Sequence, residues 1–253
     1  MIAIKTEDAP EHPLFLFGTV RKTMARAAKR FVSERRGWYN QFKQELFGEG
    51  GCFVTEKEKM QHQMLYDANY DPELIRERMV CKDLCHTYNQ LRPSQTEEQK
   101  ALLQNLLGKT NGAFTVVAPF WCDYGYNIEL GENFFANHNC VILDCAKVTF
   151  GSNVFVAPNC GFYTAGHPVD AERRNAGLEY AYPITVGDNV WFGGGVQVLP
   201  GVTIGSDVVI AAGSVVNRDI PDHVVAGGNP CRVIRPITEA DRHTNFDRFG
   251  SDT

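Results

Sequence analysis

The sequence predicts a mostly β protein: a parallel β-helix of hexapeptide repeats, preceded by an N-terminal α-helical leader. Three observations carry this expectation. An aliphatic residue recurs every six positions through the second half of the chain. A helical apolar pattern with capping signals precedes that half. The composition is ordinary for a globular protein, with 43% hydrophobic and 22% charged residues in 253.

The order along the chain is as follows. Residues 1–54 have weak periodicity and end in Gly48-Glu-Gly50-Gly51, a flexible joint. They form an extension expected to be flexible or partly helical. Residues 1–55 hold 9 Lys+Arg against 6 Asp+Glu, whereas the whole chain has a net charge of −5. A basic helix around Arg21–Arg36 could touch an acidic membrane surface or act in targeting; a solvated extension is the plainer reading. Glu7, Asp8 and Glu11 argue against a transit peptide, and no apolar run follows a basic start as a secretory signal requires.

Residues 55–110 read as helices. Thr55 and Glu58 have capping-box spacing, and Met60, Met64 and Leu65 fall on one face. Asp71-Pro72 is an N-cap followed by a first-turn proline. Ile75, Val80, Leu84, Tyr88 and Leu91 suggest an apolar stripe that Pro93 ends. Ser94 and Glu97 repeat the capping spacing before Leu102, Leu103, Leu106 and Leu107, and Gly108 is expected to close that helix.

From about residue 111 the step becomes six. The clean run is Val186, Phe192, Val198, Ile204, Ile210 and Val216, with Val190, Val196, Val202, Val208, Ser214 and Ile220 four places after each. The same step links Leu130, Ala136 and Ile142, then Phe150, Val156 and Phe162. A period of six is neither helical nor a simple strand alternation. It fits short strands that turn after every hexad, three hexads to a triangular coil, each coil covering its neighbour's apolar face. The polar stretch 164–183 breaks the rhythm and reads as a loop. The tail 236–253 carries Phe246 and Phe249, able to pack on the solenoid's end.

Composition also excludes. The acidic balance gives no reason to expect nucleic acid, and no run of eighteen apolar residues exists to form a transmembrane segment. The eight cysteines, 52, 81, 85, 122, 140, 145, 160 and 231, include no CxxC pair. Reduced, buried thiols of a cytoplasmic protein are the expectation, with Cys81 and Cys85 four apart on a helix face.

Residues 55–235 resemble the maltose and galactoside O-acetyltransferase group of the hexapeptide-repeat acyltransferases. The matching segments are Glu56-Lys-Glu-Lys-Met60, Cys122-Asp-Tyr-Gly-Tyr-Asn127-Ile, Asn133-Phe-Phe-Ala-Asn137, Tyr163-Thr-Ala-Gly-His167-Pro-Val, Asn189-Val-Trp191-Phe-Gly-Gly and Gly228-Asn-Pro230-Cys-Arg232-Val-Ile-Arg235. The resemblance implies a left-handed β-helix, a handedness opposite to the usual crossover rule and not readable from pattern. It also implies a homotrimer with active sites between subunits, and acetyl-CoA and a small sugar acceptor as substrates. No metal is expected.

The resemblance assigns roles residue by residue. His167, after Thr164-Ala-Gly and before Pro168, is the candidate base, since a neutral imidazole suits removal of a hydroxyl proton near pH 7. Asn137, Asp144 and Asp67 are candidate acceptor contacts; Asn and Asp also suit tight corners, and that reading stays open. Gly194 is the expected backbone donor to the oxyanion, where some relatives carry serine. Trp191 and Ala212 would line the pantetheine arm, and Arg218, Arg232 and Arg235 would meet the nucleotide phosphates. Relatives often have Thr-Lys where this chain has Asn217-Arg218. Three alternatives remain: a non-catalytic scaffold, an acetyltransferase for chito-oligosaccharides or amines, and a zinc carbonic anhydrase needing three convergent histidines.

Overall fold

The computed structural model describes residues 54–243. The N-terminal extension, Cys52 and the tail phenylalanines Phe246 and Phe249 lie outside the described residues. Among the described residues no helix is long and apolar enough to cross a membrane.

Three helices open the described chain. Helix α1 (Glu56–Gln61) has the expected capping box between Thr55 and Glu58. Met60 is buried, but Met64 and Leu65 lie beyond the helix end and are exposed. A two-residue strand, β1 (Tyr66–Asp67), follows. Helix α2 (Pro72–Gln90) is capped by Asp71, whose carboxylate accepts from the Glu73 and Leu74 amides. Its buried face is Leu74, Cys81, Cys85 and Tyr88, whereas Ile75 and Val80 are exposed. The five-residue step from Ile75 to Val80 turns a helix about 140° away from the same face, so no single stripe can hold both.

Helix α3 (Thr96–Leu106) begins later than the Ser94 signal suggests, with Gln95 as an N-cap lacking a side-chain cap bond. The preceding turn explains the shift: Gln95 N–H donates to Arg92 O and its side chain accepts from Arg92 N–H. Gly108 does not cap this helix, which Leu107 ends. Instead a Cβ at Gly108 would strike the Tyr126 carbonyl of the adjoining coil. The glycine permits close entry into the solenoid.

The remainder is a prism with three stacked parallel faces. One holds β2 (Lys109–Thr110), β5 (Ile128–Leu130), β8 (Val148–Phe150), β13 (Ile184–Val186) and β16 (Thr203–Ile204). The second holds β3 (Phe114–Val116), β6 (Phe134–Ala136), β9 (Phe155–Val156), β14 (Trp191–Phe192), β17 (Val209–Ile210) and β19 (Val224–Gly227), closed by antiparallel β20 (Arg232–Pro236). The third holds β4 (Phe120–Cys122), β7 (Cys140–Leu143), β10 (Gly161–Tyr163), β15 (Gln197–Val198) and β18 (Val215–Val216).

Every hexad residue singled out by period, from Leu130 to Val216, is buried. Phe134, Phe150, Phe162 and Phe192 stack through the interior with ring centroids about 5 Å apart, mostly edge to face. One corner is lined by left-handed residues. Asn133, Asn153, Asn189 and Asp207 have φ of 55–57°, and each side-chain amide donates to the next coil's side chain at 2.9–3.1 Å. Asn and Asp tolerate that conformation, and the ladder satisfies their polar groups.

The outer surfaces differ by face. Lys109, Glu129, Thr149, Thr185 and Thr203 run in register up the first face. Thr115, Phe135, Phe155, Trp191, Val209 and Val225 run up the second. Phe155 and Trp191 there are 50% and 54% exposed.

Candidate active site

The stretch 164–183 is not a structureless loop. It leaves the prism at Thr164, forms β11 (Ala165–Gly166), the short helix α4 (Ala171–Asn175) and β12 (Leu178–Ala181), and returns through a Tyr182 N–H to Thr164 O hydrogen bond of 2.8 Å. β12 pairs antiparallel with β11 on one side and with β1 of the leader on the other. Local chemistry supports the excursion. Asp170 caps α4, and Arg174 donates to the Pro168 and Val169 carbonyls. Gly166 lies against the Tyr180 ring, where a Cβ would collide.

This three-stranded sheet sits over its own small core of Met60, Tyr66, Ala68, Leu74, Tyr124, Cys145 and Ala181, with Ala146 and Ala165 packed against it. The leader, the 123–127 turn and the excursion all contribute to it.

His167 follows β11. Its Nδ1 lies 3.0 Å from the Leu178 carbonyl, and its side chain is 48% exposed. A carbonyl only accepts, so Nδ1 carries the hydrogen and Nε2 keeps its lone pair. Nε2 is 3.8 Å from Glu179 Oε1. Tyr66 donates its phenol to Glu179 Oε2 at 3.0 Å. Burial pushes the Glu179 carboxyl up, opposed by Tyr66 and by His167. Glu179 and Tyr66 escaped sequence reasoning. Their pairing spans 113 residues, and no periodicity links them.

Asp67 lies across β1 from Leu178, so it borders the carbonyl that holds His167. Its Oδ1 accepts from the Asn69 and Tyr70 amides, and its own N–H donates to buried Glu56. Burial raises its pKa. Asp144 is fully buried at the same edge of the prism. Its Oδ1 accepts from Asp123 and Tyr124 and its Oδ2 from Asn127, at 2.8–3.3 Å. Both oxygens are engaged in shaping the 123–127 turn, the corner role that the residue type also allows.

Asn137, Gly194 and Ala212 lie at another edge, just after β6, β14 and β17. Asn137 Oδ1 accepts from His138 N–H, and His138 Nδ1 lies 2.6 Å from the Ala118 carbonyl. The amides flanking Gly194 are engaged: Gly193 N–H donates to Ile210 O and Gly195 N–H to Pro158 O. The Gly194 N–H itself meets no protein acceptor among the described residues. A Cβ there would have ordinary clearance, 3.5 Å from Pro158 O, so glycine is not sterically required. Gly193 is: a Cβ would hit the Ala212 backbone.

The arginines have different partners. Arg232 donates to Cys231 O and reaches Asn217 Oδ1 at 3.4 Å. Arg218 is exposed beside Asn217. Arg235 is held bidentate by Asp241 at 2.6 and 2.8 Å, in the C-terminal helix α5 (Glu239–Arg242). That pair holds the Asp241 carboxyl down at about 2.

Thus one chain gathers His167, Glu179, Tyr66 and Asp67 at one edge of the prism, and Asn137, Gly194 and Ala212 at another. Among the described residues no three histidines converge as a zinc anhydrase requires.

The comparisons with known proteins agree with this architecture. The maltose acetyltransferase hexapeptide capping motif matches residues 59–112, and the six-repeat bacterial transferase hexapeptide model matches residues 183–218. A Saccharomyces cerevisiae protein named as an acetyltransferase is 60% identical over 180 residues, 71% of this chain and 92% of that one. The crystal structure of a maltose O-acetyltransferase from Clostridium difficile 630 is 51% identical, covers 74% of this chain and 99% of its own, and superposes with a TM-score of 0.72. A galactoside acetyltransferase in complex with coenzyme A is 39% identical, covers 79% and 100%, and has a TM-score of 0.74. With the helical cap, the hexad prism and this likeness over nearly the full length of its relatives, the chain belongs to the maltose and galactoside O-acetyltransferase family of hexapeptide-repeat enzymes.

Proposed function

We propose that the protein transfers an acetyl group from acetyl-CoA to a hydroxyl of a small sugar, with His167 as general base. One observation carries the reading. The Leu178 carbonyl takes the Nδ1 hydrogen and leaves Nε2 with a free lone pair on a half-exposed side chain, 3.8 Å from Glu179 Oε1. The acceptor hydroxyl loses its proton to Nε2 as its oxygen attacks the thioester carbonyl carbon. The Glu179 carboxylate meets the positive charge then carried by the ring. The tetrahedral intermediate bears an oxyanion, for which the unengaged Gly194 amide is the donor. Collapse breaks the carbon–sulfur bond, and the imidazolium returns its proton to the leaving thiolate.

His167 lies in the excursion that leaves the third face after β10, and Gly194 in the turn that enters that face before β15, so the two stand at opposite edges of it. We assign the complete site to a homotrimer in which one subunit's His167 edge meets the next subunit's Gly194 edge. The exposed Phe155 and Trp191 give such an assembly an apolar surface to bury. Asp67 and Asn137 are assigned acceptor contacts. Asp144 is assigned to holding the turn behind them, because its oxygens are already taken. The Ala212 edge takes the pantetheine arm, with Trp191 as its wall. Arg218 and Arg232 take the phosphates, and Arg235 joins them only when Asp241 releases it. Coenzyme A in the galactoside enzyme's structure supports that choice of donor. The seven cysteines among the described residues are buried and unbridged, which suits a reducing cytoplasmic setting.

The test is thiol release from acetyl-CoA across glucose, maltose, galactosides, chito-oligosaccharides and simple amines, with His167→Ala as control. We expect turnover with a sugar, and a loss of at least about a hundredfold in the variant while it still folds. Turnover confined to amines, or a retained rate without His167, would remove the reading.

A further inference from the structure

The interface between helix α2 and the prism holds a second chemical cluster that acetyl transfer does not use. Cys81 and Cys85 stand one turn apart on α2, and Cys122 ends β4 opposite them. The Cys122 sulfur lies 3.5 Å from that of Cys81 and 3.7 Å from that of Cys85, and all three sulfurs fall within 4.8 Å of one another. They are at most 3% exposed and form no disulfide. Among the described residues they are the one group of histidine, cysteine or carboxylate donors close enough to hold an ion, and it has no fourth member.

We propose that Cys81, Cys85 and Cys122 form a three-thiol binding site for trivalent arsenic, taken up as the neutral hydroxide. Three arguments select this ligand over other soft ions. The first is coordination number. Structural zinc sites want four protein ligands in a tetrahedron, and this cluster offers three. Trivalent arsenic bonds three sulfurs and keeps a lone pair in the fourth direction.

The second argument is charge. Three thiolates around a monovalent ion leave two net negative charges in a buried interface, and around zinc they leave one. Around a trivalent centre they leave none.

The third is entry. The cluster is buried, and an uncharged hydroxide crosses apolar packing at lower cost than a hydrated cation. The exchange balances. Three As–O bonds break and three As–S bonds form. Each thiol proton leaves with a hydroxide as water, and no oxidation state changes. The product bolts α2 to β4 at the first coils.

The experiment titrates the full chain, kept reduced by a phosphine, with arsenite. It reads bound arsenic by native mass spectrometry and sulfur-to-arsenic absorbance in the near ultraviolet. We expect one arsenic per chain with three hydrogens lost. Removing one thiol, by Cys85→Ala or by the volume-conserving Cys81→Val, should weaken binding by more than about tenfold. Cys140→Ala, a buried thiol outside the cluster, should leave it unchanged. Circular dichroism of each variant establishes that it folds, and the two helix variants keep the test alive if one does not. No uptake by the folded chain would overturn the proposal. So would uptake indifferent to the helix variants, or zinc held by the same thiols in preference to arsenite.

Discussion

The prism interior and the small core beneath the β1–β12–β11 sheet solve the same problem differently. In the prism each apolar residue is covered by its counterpart one coil away, as Phe162 is by Ile142 and Val198. A single six-residue rule repeats that solution. The small core draws Met60 and Tyr66 from the leader, Tyr124 and Cys145 from two coil corners, and Ala181 from the excursion. No repeat generates it. The difference teaches where chemistry can be placed. A repeat offers the same surface at every coil, whereas an aperiodic junction can hold one imidazole, one carboxylate and one phenol in a unique arrangement. His167, Glu179 and Tyr66 stand at that junction.

The largest expected effect is on the repeated core. Phe192 is fully buried between coils. Phe192→Ala should cost about 3–5 kcal/mol in stability, read as a lowered midpoint of denaturant unfolding. A cost under about 1 kcal/mol would mean that the coils do not depend on one another.

The junction should reveal itself through pH. Burial raises the Asp144 carboxyl to about 6, and it also raises Asp67, Asp123 and Glu179. An unfolded carboxylate titrates near 4. Between those values the folded chain keeps protons that the unfolded chain has released. The stability from this source is therefore fully present below about pH 4 and is lost as pH rises through about 6. For Asp144 alone the loss amounts to about 2–3 kcal/mol. Unfolding midpoints from pH 4 to 7 should fall by that amount in the parent chain and flatten in Asp144→Asn. Midpoints that rise over this range would contradict the sign.

The smallest effect belongs to the outer threonines. Thr203→Ala, on the polar face of the prism, should change stability by no more than about 0.5 kcal/mol. A larger change would show that this face is covered by something beyond the chain.

The prism was legible in the sequence because each coil restates it; even Ala136 and Ser214, poor hydrophobes, fall in step and are buried. The leader was legible at Thr55 and Asp71, whose caps are local. Ser94 misled because a turn closed by Gln95 displaced the helix start. Stretch 164–183 read as a loop because its strands pair with partners that hexad counting cannot supply, β1 lying more than a hundred residues upstream. His167 sits in a local Gly-His-Pro motif, whereas Glu179 joins it only through that long-range pairing. No periodicity marks Asp241, six residues on, as the partner that holds Arg235.

The central claim is that leader and excursion build one catalytic corner together. A double-mutant cycle on kcat, with Tyr66→Phe and Glu179→Gln, tests it most directly. Each single variant should lower kcat by about tenfold while leaving KM for acetyl-CoA in place. The double variant should cost little more than either alone, because both act through one hydrogen bond and one imidazole. Losses that multiply, or single variants that leave kcat unchanged, would contradict the account.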